Sequence, residues 1–299
     1  MKSDLKILLF FFAATLLAAA ASPWAAALFD RAAAAVPAFR SYLPPFSRVF
    51  DRLLIVATLA GLILCRRWLG MNSHLRATLR PEKIASRLAL GFLLAWLSVA
   101  ALAGAMWLAG VFVPYFRLPV GVALERTLKA IAGAFAAGFI EEIVFRGFVL
   151  RSLLVSRNPF AAYLTTNLTY AVVHFVDATH DTDGAVDPLT GFVYLLTAFK
   201  PFLDPAELLP GVVGLFLIGL VLSHAAIRSG SLYLSIGLHA GWIFAVKTLR
   251  VFGDYRKEDL GWLFGASEPK LVSGVAAWIG IAVVGIVVHR FTRGQRNLR

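Results

Sequence analysis

Three charged residues fall within six positions of one apolar run, Phe139-Ile-Glu141-Glu142-Ile-Val-Phe-Arg146-Gly147. A charge placed in hydrocarbon is costly, so ionisable residues inside a membrane span are functional candidates by default. Glu142 and Arg146 are four apart, so on a helix they meet on one face with the acid on the N-terminal side. Glu141 points about 100° around from Glu142 and is free to address a cavity. Two histidines sit in other apolar runs. His174 closes Tyr170-Ala-Val-Val-His174, with Tyr170 one turn before it. His239 lies in Gly237-Leu-His239-Ala-Gly241. Taken singly, the acid–arginine pair reads as a buried ion pair and each histidine as a packing residue. Taken together, a glutamate pair and two histidines on three separate runs form the kind of set that helix bundles bring together into sites. A proton or cation relay of a transporter is the other use of such carboxylates.

These residues need a membrane bundle to position them, and the composition supplies one. Of 299 residues, 59% are hydrophobic and only 15% charged, and mean hydropathy is +0.76. Soluble domains carry about 25% charged residues. The expected fold is an all-α polytopic membrane helix bundle of about eight transmembrane helices. A span needs about 20 apolar residues. The candidates are Leu5–Leu28, Leu53–Leu69, Leu88–Tyr115, Val122–Leu150, Pro159–Val176, Gly211–Ile227, Ser231–Leu249 and Val272–Phe291. The first resembles a signal peptide, but its apolar stretch continues through Trp24 to Phe29, which favours an uncleaved anchor.

The net charge of +12 comes from 29 Lys plus Arg against 17 Asp plus Glu. In a membrane protein this reads as basic cytoplasmic loops, not nucleic-acid binding. Arg66, Arg67, Arg76, Arg80, Lys83 and Arg87, then Arg151 and Arg157, then Arg228, then Arg290, Arg293, Arg296 and Arg299 all fall on one side of an eight-span scheme. That side is read as cytoplasmic, with both termini inside and the acidic loop from Asp177 to Pro210 outside. Arg31, Arg40, Arg48 and Arg52 in the first outer loop run against the scheme. The expected location is the plasma (inner) membrane. The one cysteine, Cys65, excludes an intrachain disulfide.

The order Glu-Glu-x-x-x-Arg, aromatic-x-x-x-His, then His in a Gly-Leu-His-Ala-Gly setting resembles the CPBP (Abi) superfamily, which includes type II CAAX prenyl endopeptidases. The likeness spans roughly residues 120–250, between N-terminal spans (1–119) and a C-terminal loop and last span (251–299). Two positions depart from the pattern. Tyr170 stands where phenylalanine is usual, and Ile243 stands where the third motif carries Asn or Asp. Tyr170 or Trp242 would have to replace the missing polar group.

The resemblance implies an intramembrane endopeptidase acting on membrane-associated, CAAX-type protein or peptide substrates. Glu141 would be the general base on water, His174 would position that water, and His239 would stabilise the oxyanion. Glu142 and Arg146 would hold the site together. A zinc version would use Glu141, His174 and His239 with water as fourth ligand. The metal-free version is preferred because His-Glu-x-x-His is absent and no second carboxylate is evident behind a histidine. With Ile243, the resemblance also admits a non-catalytic relative acting as a scaffold or immunity factor.

Other residues are weaker candidates. His224 and His289 lie beside Arg228 and Arg290 and read as interfacial. His180, Asp181, Asp183 and Asp187 could ligate a cation but match no EF-hand spacing. No GxSxG elbow, P-loop or dinucleotide-binding glycine pattern occurs, which removes support for serine-type proteolysis and nucleotide hydrolysis.

Overall fold

A computed structural model describes residues 3–71, 78–79, 83–176, 186–256, 260–265 and 271–294. Arg76, Arg80, Asp177, His180, Asp181, Asp183, Arg296 and Arg299 lie outside the described residues. The fold is an all-α membrane helix bundle. Three helices are long and apolar enough to cross a membrane, over Asp4–Ala35, Ile84–Leu108 and Pro205–Ser229. By internal contacts the chain divides into one unit of residues 1–72 and 173–208 and another of residues 73–172 and 209–299.

The first unit is built on α1 (Ser3–Ala35) and α2 (Phe46–Leu64). Alanines 18 and 19 bury a smooth face, and Phe46, Phe50 and Tyr194 pack in the same core. Within the stretch expected to be an outer loop, the structure places a short helix, α7 (Thr190–Thr197). Its start is fixed locally. Asp187 Oδ1 accepts from Leu189 N at 2.8 Å and from Thr190 Oγ1 at 3.1 Å. Asp187 thus serves the backbone as capping residues do.

The second unit holds the remaining long helices. They are α3 (Ile84–Leu108), α4 (Val120–Glu142), α6 (Pro159–Val173), α8 (Pro205–Ser229), α9 (Tyr233–Leu249) and α11 (Val275–Phe291). After Glu142 the chain does not stop. It widens into a π-helical stretch, Ile143–Leu150, then tightens again in α5 (Arg151–Ser156). Widened turns of this type are rare and concentrate at functional sites.

Helix α9 is the centre of the unit. Leu234, Leu238, Trp242 and Ala245 share a core with Ala95, Val99, Leu222 and Val284. The α3–α9 contact is backbone against backbone. A Cβ on Gly237 would come within 2.3 Å of the Leu88 carbonyl oxygen, and one on Gly91 within 2.4 Å of that of Leu234. Close approach through small residues is how membrane helices gain van der Waals contact without a hydrophobic driving force.

The apolar run expected to span Leu88–Tyr115 ends earlier as a helix, at Leu108. Gly110 adopts φ 71°, with Gly110 N bonded to Trp107 O and Val111 N to Met106 O. This is a glycine-terminated helix end. The chain then forms β1 (Phe112–Pro114), which pairs antiparallel with β2 (Gly253–Tyr255) in the register Phe112–Tyr255, Val113–Asp254, Pro114–Gly253. A four-residue helix, α10 (Gly261–Phe264), follows.

Candidate active site

Helix α4 delivers two adjacent carboxylates with different surroundings. The Glu142 side chain is fully buried, whereas that of Glu141 is 30% exposed. Arg146, one turn on in the widened segment, is also fully buried. Its Nη1 donates to Glu142 Oε1 at 2.7 Å.

The rest of the guanidinium is satisfied by other helices. Nη2 donates to the Gly219 carbonyl at 3.1 Å and approaches Asn167 Oδ1 at 3.5 Å. Nε lies 3.4 Å from Ser223 Oγ. Ser223 in turn donates to Asn167 Oδ1 at 2.8 Å, and Asn167 Nδ2 donates to Tyr163 O at 2.9 Å. The Tyr170 ring covers the guanidinium at 4.4 Å, a cation–π arrangement. A buried charge needs such complete pairing, because removing a partner leaves it uncompensated.

Gly219 permits the approach of α8. A Cβ there would fall 2.9 Å from Asn167 Oδ1. Neither Asn167, Ser223 nor Gly219 was evident as a site-holding residue from the sequence. Each is a small or polar residue in an apolar run, and that is the only sequence signal it carries.

His239, from α9, faces the same carboxylates. Its Nδ1 is 3.0 Å from Glu142 Oε1. Glu142 Oε1 therefore accepts from both Arg146 and His239, while its Oε2 is buried without a hydrogen-bond partner among the described residues. With Nδ1–H committed to a carboxylate, Nε2 is the free ring position. It points to Glu141 Oε2 at 3.7 Å and to the Tyr170 hydroxyl at 3.4 Å. These are long contacts, typical of a site without substrate. Glu141, Tyr170 and His239 Nε2 thus converge, with Glu142 and Arg146 behind them.

Several sequence expectations meet the geometry differently. His174 follows directly on the end of α6 and falls, by contacts, in the first unit. Trp242 was one of two candidates to replace the missing polar group of the third motif. Its indole N–H instead donates to Ser98 Oγ at 3.1 Å on α3, so it is turned to a different helix. The Tyr170 hydroxyl is the one that lies at the histidine. The premise that no second carboxylate stands behind a histidine is also corrected, since Glu142 holds His239 Nδ1. His224 and His289 contact one another, Nε2 to Nδ1 at 3.2 Å.

Among the described residues, no group of three or more His, Cys, Asp or Glu side chains could hold a metal ion. Glu141 and His239 offer two donors, one short of the three protein ligands of a catalytic zinc.

Residues 123–245 match the family model of the type II CAAX prenyl endopeptidase Rce1-like proteins. The match falls inside the stretch, roughly 120–250, that resembles the CPBP superfamily. The chain carries an Rce1-like domain, which is that of a protease family. No curated protein and no solved structure gives a match.

Proposed function

We propose that this chain is an intramembrane endopeptidase in which Glu141 activates water against a peptide bond of a membrane-associated substrate. The observation that carries the reading is the division of labour between adjacent glutamates. Glu142 is enclosed and bound to Arg146 and His239, while Glu141 is partly open and faces His239 Nε2.

In this mechanism Glu141 takes a proton from water as the oxygen attacks the scissile carbonyl carbon. The carbonyl oxygen becomes the oxyanion. The Tyr170 hydroxyl and an N–H at His239 Nε2 donate to it, supplying the preorganised stabilisation that matters most in acyl transfer. Glu141 then passes the proton to the departing amine as the C–N bond breaks. His174 keeps the water-positioning role that the family resemblance implies. The donor set falls short of a zinc site, so no step is routed through a metal. A zinc-dependent variant predicts that a chelator abolishes turnover and that added zinc restores it.

The missing Asn or Asp at Ile243 favours the second reading, a non-catalytic relative serving as scaffold or immunity factor. The Tyr170 hydroxyl answers it by supplying a donor at the same imidazole. A transporter reading has no further support. The proposed setting is the inner membrane with both termini cytoplasmic.

The test is cleavage of farnesylated CAAX peptides and of a membrane-protein substrate set by the purified protein in nanodiscs. Glu141→Gln and His174→Ala should each lower turnover at least 100-fold, on the scale of losing a general base or an orienting group. Equal cleavage by wild type and Glu141→Gln would remove the mechanism.

A further inference from the structure

Two helix faces run away from the catalytic pair and end among cations. On α9, His239, Ile243, Lys247 and Arg250 follow at intervals of four, four and three, one face of a helix extended just past its end. On α4, Glu141, Ala137, Gly133, Ala130 and Arg126 recede in the opposite direction with the same periodicity. The helices are antiparallel along this line. Near the catalytic end, a Cβ on Gly138 would lie 3.3 Å from Ala240 N and 3.5 Å from His239 Cβ. At the far end, a Cβ on Gly133 would lie 3.7 Å from Lys247 Nζ.

That far end opens into a cavity of about 520 Å³ lined by Arg117, Arg126, Lys129, Lys247 and Arg250 beside Ala130 and Val251. Two of the five cations are answered. Lys129 pairs with Glu125 at 2.5 Å, and Arg117 with Asp254 at 3.1 Å, Asp254 also accepting from the Tyr115 hydroxyl. No carboxylate pairs with Arg126, Lys247 or Arg250 among the described residues. The cavity is therefore a concentrated, uncompensated positive site, built to receive an anion.

The spacing says which anion. Lys247 is eight residues from His239, and Gly133 eight from Glu141, about 12 Å along each helix at 1.5 Å per residue. An extended peptide covers about 3.3–3.6 Å per residue, so three or four residues bridge that distance. Between the ends, the α4 face carries only alanine and glycine, leaving room for a peptide, and Ile243 offers it an apolar wall.

We propose that this basic cavity binds the free C-terminal carboxylate of a peptide substrate whose scissile bond lies three or four residues upstream, at Glu141 and His239. The inference rests on the protease reading and adds to it a carboxyl-terminal substrate class, with Lys247, Arg250 and Arg126 as specificity residues. Charge-assisted contacts to a carboxylate are the strong kind, and they would set the register of the cleaved bond. A phospholipid phosphate is the competing anion, and the test separates the two.

The probe is a fluorescein-labelled, farnesylated hexapeptide, made as the free acid and as the C-terminal amide. Binding is measured to full-length Glu141→Gln protein in phosphatidylcholine nanodiscs, and again with phosphatidylglycerol added. The acid should bind about tenfold tighter than the amide. In Lys247→Gln/Arg250→Gln that ratio should fall to about one, and in Lys247→Glu below one. Equal binding of acid and amide, a preference that survives the substitutions, or binding of neither peptide overturns the proposal. So does equal binding with phosphatidylglycerol retention lost in the double variant, which makes the cavity a lipid site. Acid preference without cleavage by the wild-type protein would instead fail the protease reading and leave this site standing. Cleavage of both peptides without acid preference would do the reverse.

Discussion

Arg146 and His239 hold the same oxygen of Glu142, at 2.7 and 3.0 Å, so the buried ion pair and the imidazole orientation depend on one atom. Glu142→Gln removes that charge and leaves Arg146 buried without its counter-ion. Breaking a buried pair in this way costs about 3–5 kcal/mol. The variant should therefore lose thermal stability and cleavage together. Glu141→Gln should lose cleavage while melting near the wild-type temperature, because Glu141 is partly exposed and does not bind the arginine. Melting curves in detergent beside turnover separate the two glutamates. A Glu141→Gln protein that melts as low as Glu142→Gln would end this assignment.

Tyr170→Phe deletes only the hydroxyl that faces His239 Nε2 and keeps the ring that covers Arg146. Loss of an oxyanion donor costs about 100- to 1,000-fold in kcat. The expected result is a fall of that size with KM little changed and stability retained. Trp242→Phe, whose lost N–H serves Ser98, should leave kcat within a few-fold of wild type. The reverse order of effects would return the donor role to Trp242.

Gly219→Ala places a methyl 2.9 Å from Asn167 Oδ1. The α8 backbone must then retreat from Arg146 or Asn167 must move. Overpacking of this kind costs about 1–3 kcal/mol. A lower melting temperature and weaker cleavage are expected, although residue 219 touches no substrate. An unchanged melting curve would show that the arginine cage does not need the close approach.

Cys65 ends α2 and is the chain's single cysteine, so the natural protein reports its own orientation. With both termini cytoplasmic, an impermeant maleimide should label it in inverted vesicles and not in intact cells. Labelling from the outside of intact cells would reverse the scheme.

The part of the site most legible in the sequence was the part confined to one helix. The spacing of Glu142 and Arg146 fixes their meeting, and the 100° offset fixes that Glu141 looks elsewhere. Contacts between helices left no such trace. Asn167, Ser223 and Gly219 reach Arg146 from α6 and α8, and nothing in their spacing pointed to an arginine on another run. Trp242 misled for a related reason. It lies three residues from His239, a neighbour by periodicity, yet α3 offered its N–H a closer hydroxyl. In the fold, hydropathy located the long helices but overran their ends. The run to Tyr115 is apolar throughout, and only Gly110 marked where the helix gives way to β1.

The π-helical stretch from Ile143 to Leu150 has a bearing on how this region tolerates change in length. A π turn holds more residues than an α turn. Excising one residue there would let the segment relax to ordinary α geometry, at no penalty in local helix energy. It would also swing whatever follows by about 100° relative to Glu142. If the cut falls before position 146, the guanidinium leaves its carboxylate. The motif thus works as a phase lock, in which the angular setting of one side chain is stored in the pitch of the backbone that carries it.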